Sequence, residues 1–349
     1  MFNSKLTKRA LSLFGLLEVM GRDFLRRRRA LEDFGIKCTF VEVTNFCNMH
    51  CKFCPSDHIL RERESMDFRT FKNVIDQLVD LKTRLPIALH VIGEPLQHRG
   101  IFRFIDYCGH RGVRIYLFTN GLKIKENIKE ICRRDNIDAL VLSVQTPTEK
   151  SYMLRGSGKP FREYMQDIYV AIDYIVSCEA NKKMRVEIHL AETKDLPFRE
   201  WDILTDSIEG LEVMKGICRA IKHSDDDFSD MPENFINLRE WDYWGYQVLP
   251  NIYIRIKHFG TFGGHTLPGE VVECIEPIQC SMANDNLCIL SNGAITICCL
   301  DVEGELSLGN VRNKRIIDAL KSKKRAAIIA DATRMPLCRR CKGTVMLSA

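Results

Sequence analysis

From residue 38 onward, short apolar runs alternate with segments in which apolar positions recur every three or four residues. The runs at 38–44, 87–92, 113–118, 138–143 and 184–190, and less clearly 211–217, predict strands. The periodic segments at 68–82, 100–110, 122–134, 159–177 and 197–208 predict amphipathic helices. Such alternation with short connections predicts right-handed βα units and a parallel sheet, here an α/β partial (β/α)6 TIM-like barrel. In barrels of this kind chemistry collects at the C-terminal ends of the strands. Functional residues are therefore expected just after each strand. Cys47, Cys51 and Cys54 follow the first run, Gly93–Glu94–Pro95 the second, Thr119–Asn120–Gly121 the third and Gln145 the fourth.

The pattern differs at both ends of this core. Residues 1–37 form a basic arm, in which Leu6, Leu13, Leu16, Leu17, Met20, Phe24 and Leu31 recur at near-helical spacing over 5–34 and Arg26–Arg29 close it. It reads as a helix capping the open edge of the barrel; peripheral membrane or partner docking is the alternative. The barrel core is expected over 38–221. Residues 222–270, rich in Asp and carrying Trp241 and Trp244, read as linker or lid, and 271–349 as a small C-terminal α+β unit of short strands, a hairpin and a closing helix.

Composition narrows the function classes. The 349 residues are 45% hydrophobic, enough for one large core and an appended unit. No run approaches a membrane span and no signal peptide is evident, so a cytoplasmic protein is expected. Of the net charge of +5, the arm carries nine Lys or Arg against four Asp or Glu, leaving 42 of each in the remainder. The body offers no broad electrostatic surface for nucleic acid. Fifteen cysteines, an odd and clustered number, argue for metal rather than a disulfide framework.

Cys47, Cys51 and Cys54 make C-x3-C-x2-C within CNMHCKFC. Three thiolates hold three irons of a four-iron cubane and leave one open. An open iron can chelate an amine and a carboxylate, the pair at the amino acid end of S-adenosylmethionine (SAM). Zinc would want a fourth ligand at a usual spacing, which is not evident here. The spacing, with the aromatic Phe53 before the last cysteine, resembles the signature of the radical SAM superfamily, and the resemblance covers roughly residues 38–217. It implies a SAM-cleaving [4Fe–4S] cluster on the three cysteines. Gly93, Glu94 and Pro95 resemble the family's GGE motif, although His90–Val91–Ile92 stands in place of the usual leading glycine; Gly93 would let the backbone approach the SAM amino group closely. Asn120 is likewise assigned to cofactor binding. Ser143 stands where the family often contacts the ribose, or else is a buried strand serine. Arg155–Gly156 match a common RG step after the fourth strand, with a solvated surface arginine as the competing reading.

A second set comprises Cys280, Cys298, Cys338 and Cys341. Asn292–Gly293 signals a two-residue hairpin that would pair 291 with 294 and 287 with 298. Alternation then puts Cys298 and Cys299 on opposite faces, Cys288 sharing that of Cys299. The Gly293-x4-Cys298 spacing resembles the auxiliary-cluster domains called SPASM and twitch, which selects Cys298. Four thiolates could equally hold structural zinc; attached to this barrel, a second [4Fe–4S] cluster is favoured. With no further cysteine between 299 and 338, the short single-cluster form is expected. Cys38, Cys108, Cys132, Cys178, Cys218, Cys274, Cys288 and Cys299 remain, mostly as small core residues, with Cys218 or Cys274 a conceivable hydrogen donor.

The resemblance implies cleavage of SAM to a 5′-deoxyadenosyl radical and hydrogen abstraction from a substrate C–H bond, with flavodoxin or ferredoxin as electron donor. Oxidation of a sugar- or cyclitol-like alcohol leads, because the compact form resembles that of 2-deoxy-scyllo-inosamine dehydrogenase. Epimerisation, peptide modification or maturation, and a non-catalytic iron–sulfur scaffold are the alternatives. Glu187, His189 and His265 are candidate substrate contacts.

Overall fold

A computed structural model describes residues 30–192, 207–226, 228, 231, 245–258, 273–277 and 279–347. Among these residues, nine strands form one sheet in the order β6-β7-β5-β4-β3-β2-β1-β8-β9. These are β1 (Cys38–Val41), β2 (Ile87–Ala88), β3 (Ile115–Thr119), β4 (Ile137–Gln145), β5 (Arg185–Glu192), β6 (Tyr246–Leu249), β7 (Ile252–His258), β8 (Asn286–Ile289) and β9 (Ile295–Thr296). All neighbours are parallel except β6 with β7 and β8 with β9. The helices are α1 (Phe68–Asp80), α2 (Ile101–His110), α3 (Ile124–Cys132), α4 (Glu149–Tyr152), α5 (Phe161–Ser177), α6 (Ser207–Lys222), α7 (Ser281–Asp285), α8 (Ile316–Leu320), α9 (Lys323–Ala330) and α10 (Pro336–Leu347).

Strand alternation sorts the core from the site. On β4, Leu140, Leu142 and Val144 are buried in the main apolar core, while Ser143 and Gln145 line a pocket inside the barrel. Helix α1 begins where the Asp67 carboxylate accepts from the Thr70 amide at 2.9 Å. It then buries Phe71, Val74, Ile75 and Leu78 at helical spacing.

Three expectations need correction. Residues 211–217 are not a strand but the middle of α6; Met214, Ile217, Cys218 and Ile221 are buried at three- and four-residue spacing, which is a helix period. The hairpin pairs Ile289 with Ile295 and Cys288 with Thr296, one residue away from the expected register. Ser291–Asn292–Gly293 form a three-residue loop with Gly293 at φ 83°, and the Leu290 amide donates to the Ala294 carbonyl at 2.9 Å. Finally, β7 falls in the stretch expected to be linker or lid, yet pairs in parallel with β5 from Val186↔Ile252 to Glu192↔His258. The C-terminal hairpin also joins the barrel sheet, through β8 beside β1. Most of the expected helix at 197–208, most of the arm at 5–34, the tryptophans of 222–270 and His265 lie outside the described residues; Leu31–Phe34 form a single 3-10 turn.

Candidate active site

The loop after β1 carries CNMHCKFC across the barrel mouth. It is fixed on one side by the turn after β4: the amides of His50 and Lys52 donate to the carbonyls of Arg155 and Leu154 at 3.0 and 2.9 Å. On the other side, the Glu94 amide donates to the Phe46 carbonyl at 2.8 Å. Gly93 sits at φ 83°, and a Cβ there would lie 2.4 Å from the Thr44 carbonyl oxygen. The close approach that demands glycine is thus to the chain's own backbone. Gly156 has the same function on the opposite flank, 2.9 Å from the His50 carbonyl.

A cavity of about 370 Å³ opens between these loops and the strand ends. Cys47, Cys51, Cys54, Gly93, Glu94, Pro95, Asn120, Ser143 and Arg155 all line it. The Glu94 carboxylate accepts from the Thr119 hydroxyl at 2.8 Å and from the amides of Asn120 and Leu96 at 2.6 and 3.0 Å. Burial nonetheless pushes this carboxyl up. Asn120 Nδ2 donates to Asn48 Oδ1 at 2.9 Å and approaches the Cys47 sulfur at 3.6 Å.

Arg155 is not a surface residue: it is 1% exposed. Its guanidinium donates to the Ser143 carbonyl at 2.9 Å and to that of Val144, and meets the Met49 sulfur at 3.2 Å through Nε. It stands beside Cys51, whose thiol is pushed up by burial and drawn down by this cation. Burial pushes Cys47 up to about 11 and Cys54 up to about 12. Buried, uncoordinated thiols stay protonated, whereas metal ligation requires thiolates and favours them. Among the described residues, no three His, Cys, Asp or Glu side chains converge on a single ion position. Cubane ligands need not converge, since each thiolate takes its own iron. Three thiols around one cavity, with a buried cation against them, fit such a cluster.

The second cysteine set flanks the β8–β9 hairpin, Cys280 before it and Cys298, Cys338 and Cys341 after it. Cys298 and Cys280 join the core cluster together with Cys338, and the Cys338 thiol is raised to about 12 by burial and then by Cys280 and Cys341. Cys299 packs instead with Cys288. Leu300, two residues past Cys298, lines the same cavity as the first set. Sequence reasoning did not find His90, Phe118, Lys257 and Leu300, which also line the cavity. The alternating isoleucines 252, 254 and 256 were the available signal for the strand that carries Lys257. Cys218 and Cys274 are buried and do not line the cavity.

Residues 41–178 match the family model of the radical SAM superfamily, and residues 280–342 that of an iron–sulfur cluster-binding domain. The AdoMet-dependent heme synthase of Nitratidesulfovibrio vulgaris is 27% identical over 145 residues, 40% of this chain and 39% of that protein. The match therefore spans less than half of that curated relative. Among solved structures, Streptococcus suis SuiB bound to precursor peptide SuiA superposes with a TM-score of 0.56 at 17% identity, covering 94% of this chain and 76% of that one. BtrN in complex with AdoMet and 2-DOIA gives 0.53 at 16%, covering 88% and 92%. At these identities the likeness is one of fold.

Proposed function

The chain belongs to the radical SAM superfamily and carries a C-terminal iron–sulfur cluster-binding domain, and from that premise we propose an oxidoreductase that acts on an alcohol C–H of a sugar- or cyclitol-like substrate. In this reading Cys47, Cys51 and Cys54 hold the SAM-cleaving [4Fe–4S] cluster. Gly93, Glu94, Pro95, Asn120, Ser143 and Arg155 seat SAM, and Cys280, Cys298, Cys338 and Cys341 hold an auxiliary cluster. When bound, these groups supply a 5′-deoxyadenosyl radical to take a hydrogen atom and an acceptor for the substrate's second electron.

The chain's own part is positioning. Glu94 fixes the start of the loop after β3 through the amide of Asn120 and the hydroxyl of Thr119. Arg155 places a permanent positive charge against the thiols and is held there by two carbonyls. The observation that carries the oxidative reading is Leu300. It brings the segment of Cys298 to the wall of the cavity that Cys47, Cys51 and Cys54 line, which supports an electron acceptor on the far side of that wall. BtrN, whose structure holds AdoMet and 2-DOIA, supports the choice of a small substrate.

A peptide substrate is the second reading, favoured by the likeness to SuiB bound to its precursor peptide. An epimerase would need a hydrogen donor in the cavity. Among the described lining residues the only thiols are Cys47, Cys51 and Cys54. The expected setting is the cytoplasm, with a flavodoxin or ferredoxin as electron donor; no described helix is long and apolar enough to cross a membrane.

The test is anaerobic reconstitution followed by counting iron and sulfide and assaying SAM cleavage under dithionite. About eight irons per chain are expected for two clusters, with 5′-deoxyadenosine formed in step with a product oxidised by two electrons. About four irons plus zinc, with cleavage retained, would make the C-terminal site structural and remove the oxidative reading.

A further inference from the structure

The cavity has two chemically different walls. On the wall of the cysteine loop, the charged groups are engaged by the chain itself: Glu94 by Thr119, Asn120 and Leu96, and Arg155 by Ser143, Val144 and Met49. The facing wall, from the C-terminal ends of β2, β3, β5 and β7, presents His90, Phe118, His189 and Lys257. Glu187 is the carboxylate beneath it, and its oxygens accept from Arg185 Nε at 2.6 Å, His189 Nε2 at 2.7 Å and Arg255 Nη1 at 2.8 Å. Glu192, the other carboxylate of β5, stands at the alternate register and does not line the cavity. Lys257 makes no hydrogen bond or ion pair with any described residue.

We propose that this wall is the substrate subsite, and that Lys257 receives an oxyanion of the substrate, a carboxylate or a phosphate, while His90 and His189 hydrogen-bond the hydroxyls beside it. The proposal rests on the reading of this cavity as the place of hydrogen abstraction, and it narrows the substrate from a neutral sugar or cyclitol to an acidic or phosphorylated one.

The surroundings of Lys257 call for an anion. Desolvation and the neighbouring Arg255 push its ammonium down, a shift that an added negative charge would oppose, restoring the cation. Ala191 is its partner across the β5–β7 ladder, so no large side chain crowds the approach from that strand. His90 lies with its ring stacked on Phe118, centroids 4.9 Å apart, and has no hydrogen-bond partner among the described residues. Burial lowers it to about 4, so at neutral pH it is an uncharged imidazole, able to donate at one nitrogen and accept at the other. His189 is oriented differently: the ionised Glu187 accepts a hydrogen bond from its Nε2–H, which leaves Nδ1 as the acceptor. A cation flanked by one free and one oriented imidazole suits a polyhydroxylated acid better than an apolar ligand.

The test uses the full chain, reconstituted anaerobically and saturated with SAM so that SAM's own carboxylate position is filled, with no reductant present. The thermal midpoint is followed while malonate, inorganic phosphate or myo-inositol is added at constant ionic strength set with chloride. A saturable rise with malonate or with phosphate, and none with myo-inositol, is expected; which anion gives it tells carboxylate from phosphate. Lys257→Met should weaken that apparent affinity about tenfold or more, the loss of one charge-assisted contact, and Lys257→Arg should retain most of it. No saturable rise in the wild type, or the same rise in Lys257→Met, overturns the proposal. Anion binding requires no radical chemistry, whereas SAM cleavage by the wild type reports that chemistry directly. The subsite and the reading beneath it can therefore fail separately.

Discussion

At the scale of single residues, Arg155 does what a lysine could not. Its planar guanidinium reaches the Ser143 and Val144 carbonyls and the Met49 sulfur from a fully buried position, next to the Cys51 thiol. Arg155→Met leaves those carbonyls without a donor, and the expected cost is at least about 2 kcal/mol in urea unfolding. It should also lower the iron retained per chain, because a thiolate site loses its cation. An unchanged urea midpoint together with full iron loading would refute this assignment. His90 offers a pH test of its burial. Its folded pKa of about 4 lies below the ordinary 6.5, so between those values the unfolded chain binds the extra proton. The stability from the neutral ring is whole above about pH 6.5 and is lost as the pH falls toward 4. His90→Gln should therefore lose less stability than the wild type between pH 7 and 5; equal losses would contradict the buried neutral imidazole.

Between elements, two glycines set how closely the cysteine loop packs. Gly93 and Gly156 hold positive φ values of 83° and 55° where a Cβ would meet Thr44 and His50 backbone oxygens. Gly93→Ala should displace the loop after β2 from the cysteine loop, lowering both iron per chain and the melting temperature. Gly112→Ala is the control, since it has positive φ but nothing within 4 Å of the added methyl. If both alanines cost the same, the effect is backbone strain alone and the packing argument falls.

For the molecule as a whole, one buried ion pair ties the barrel to its C-terminal unit. Glu42, fully buried past the end of β1, accepts from Arg61 Nη2 and from the Ser291 amide at 2.9 Å. Arg61 also donates to the Ser291 hydroxyl at 3.0 Å and to the Val302 carbonyl, while Glu303 accepts from the amides of Leu60 and Arg61 at 2.7 and 3.1 Å. The loop that follows the first cysteine set is thus clamped to the hairpin that precedes Cys298. Arg61→Met should cost about 3–5 kcal/mol, because it strands a buried carboxylate. Combining it with Glu42→Met should recover part of that loss. A double variant as unstable as the sum of the singles would mean that the two side chains do not act as a pair.

The sequence by itself determined what depends on neighbours along the chain. The spacing of Cys47, Cys51 and Cys54 was legible, as were the residues that follow each strand and the glycine turn at 293, because ligand spacing, side-chain period and positive φ are local properties. The residues assigned to SAM and the first cluster then gather on one cavity. Tertiary structure alone decided which strands meet. The parallel pairing of β7 with β5 brings Lys257 to the cavity, and that of β8 with β1 brings Leu300, two residues past Cys298, to the wall that the first cysteines line. A parallel pair leaves no turn signal between its strands, so its partner cannot be read from local pattern. The same holds for Arg155 and for 211–217. An arginine becomes buried, and an apolar run becomes a helix face, only when distant segments supply the surface against which it packs.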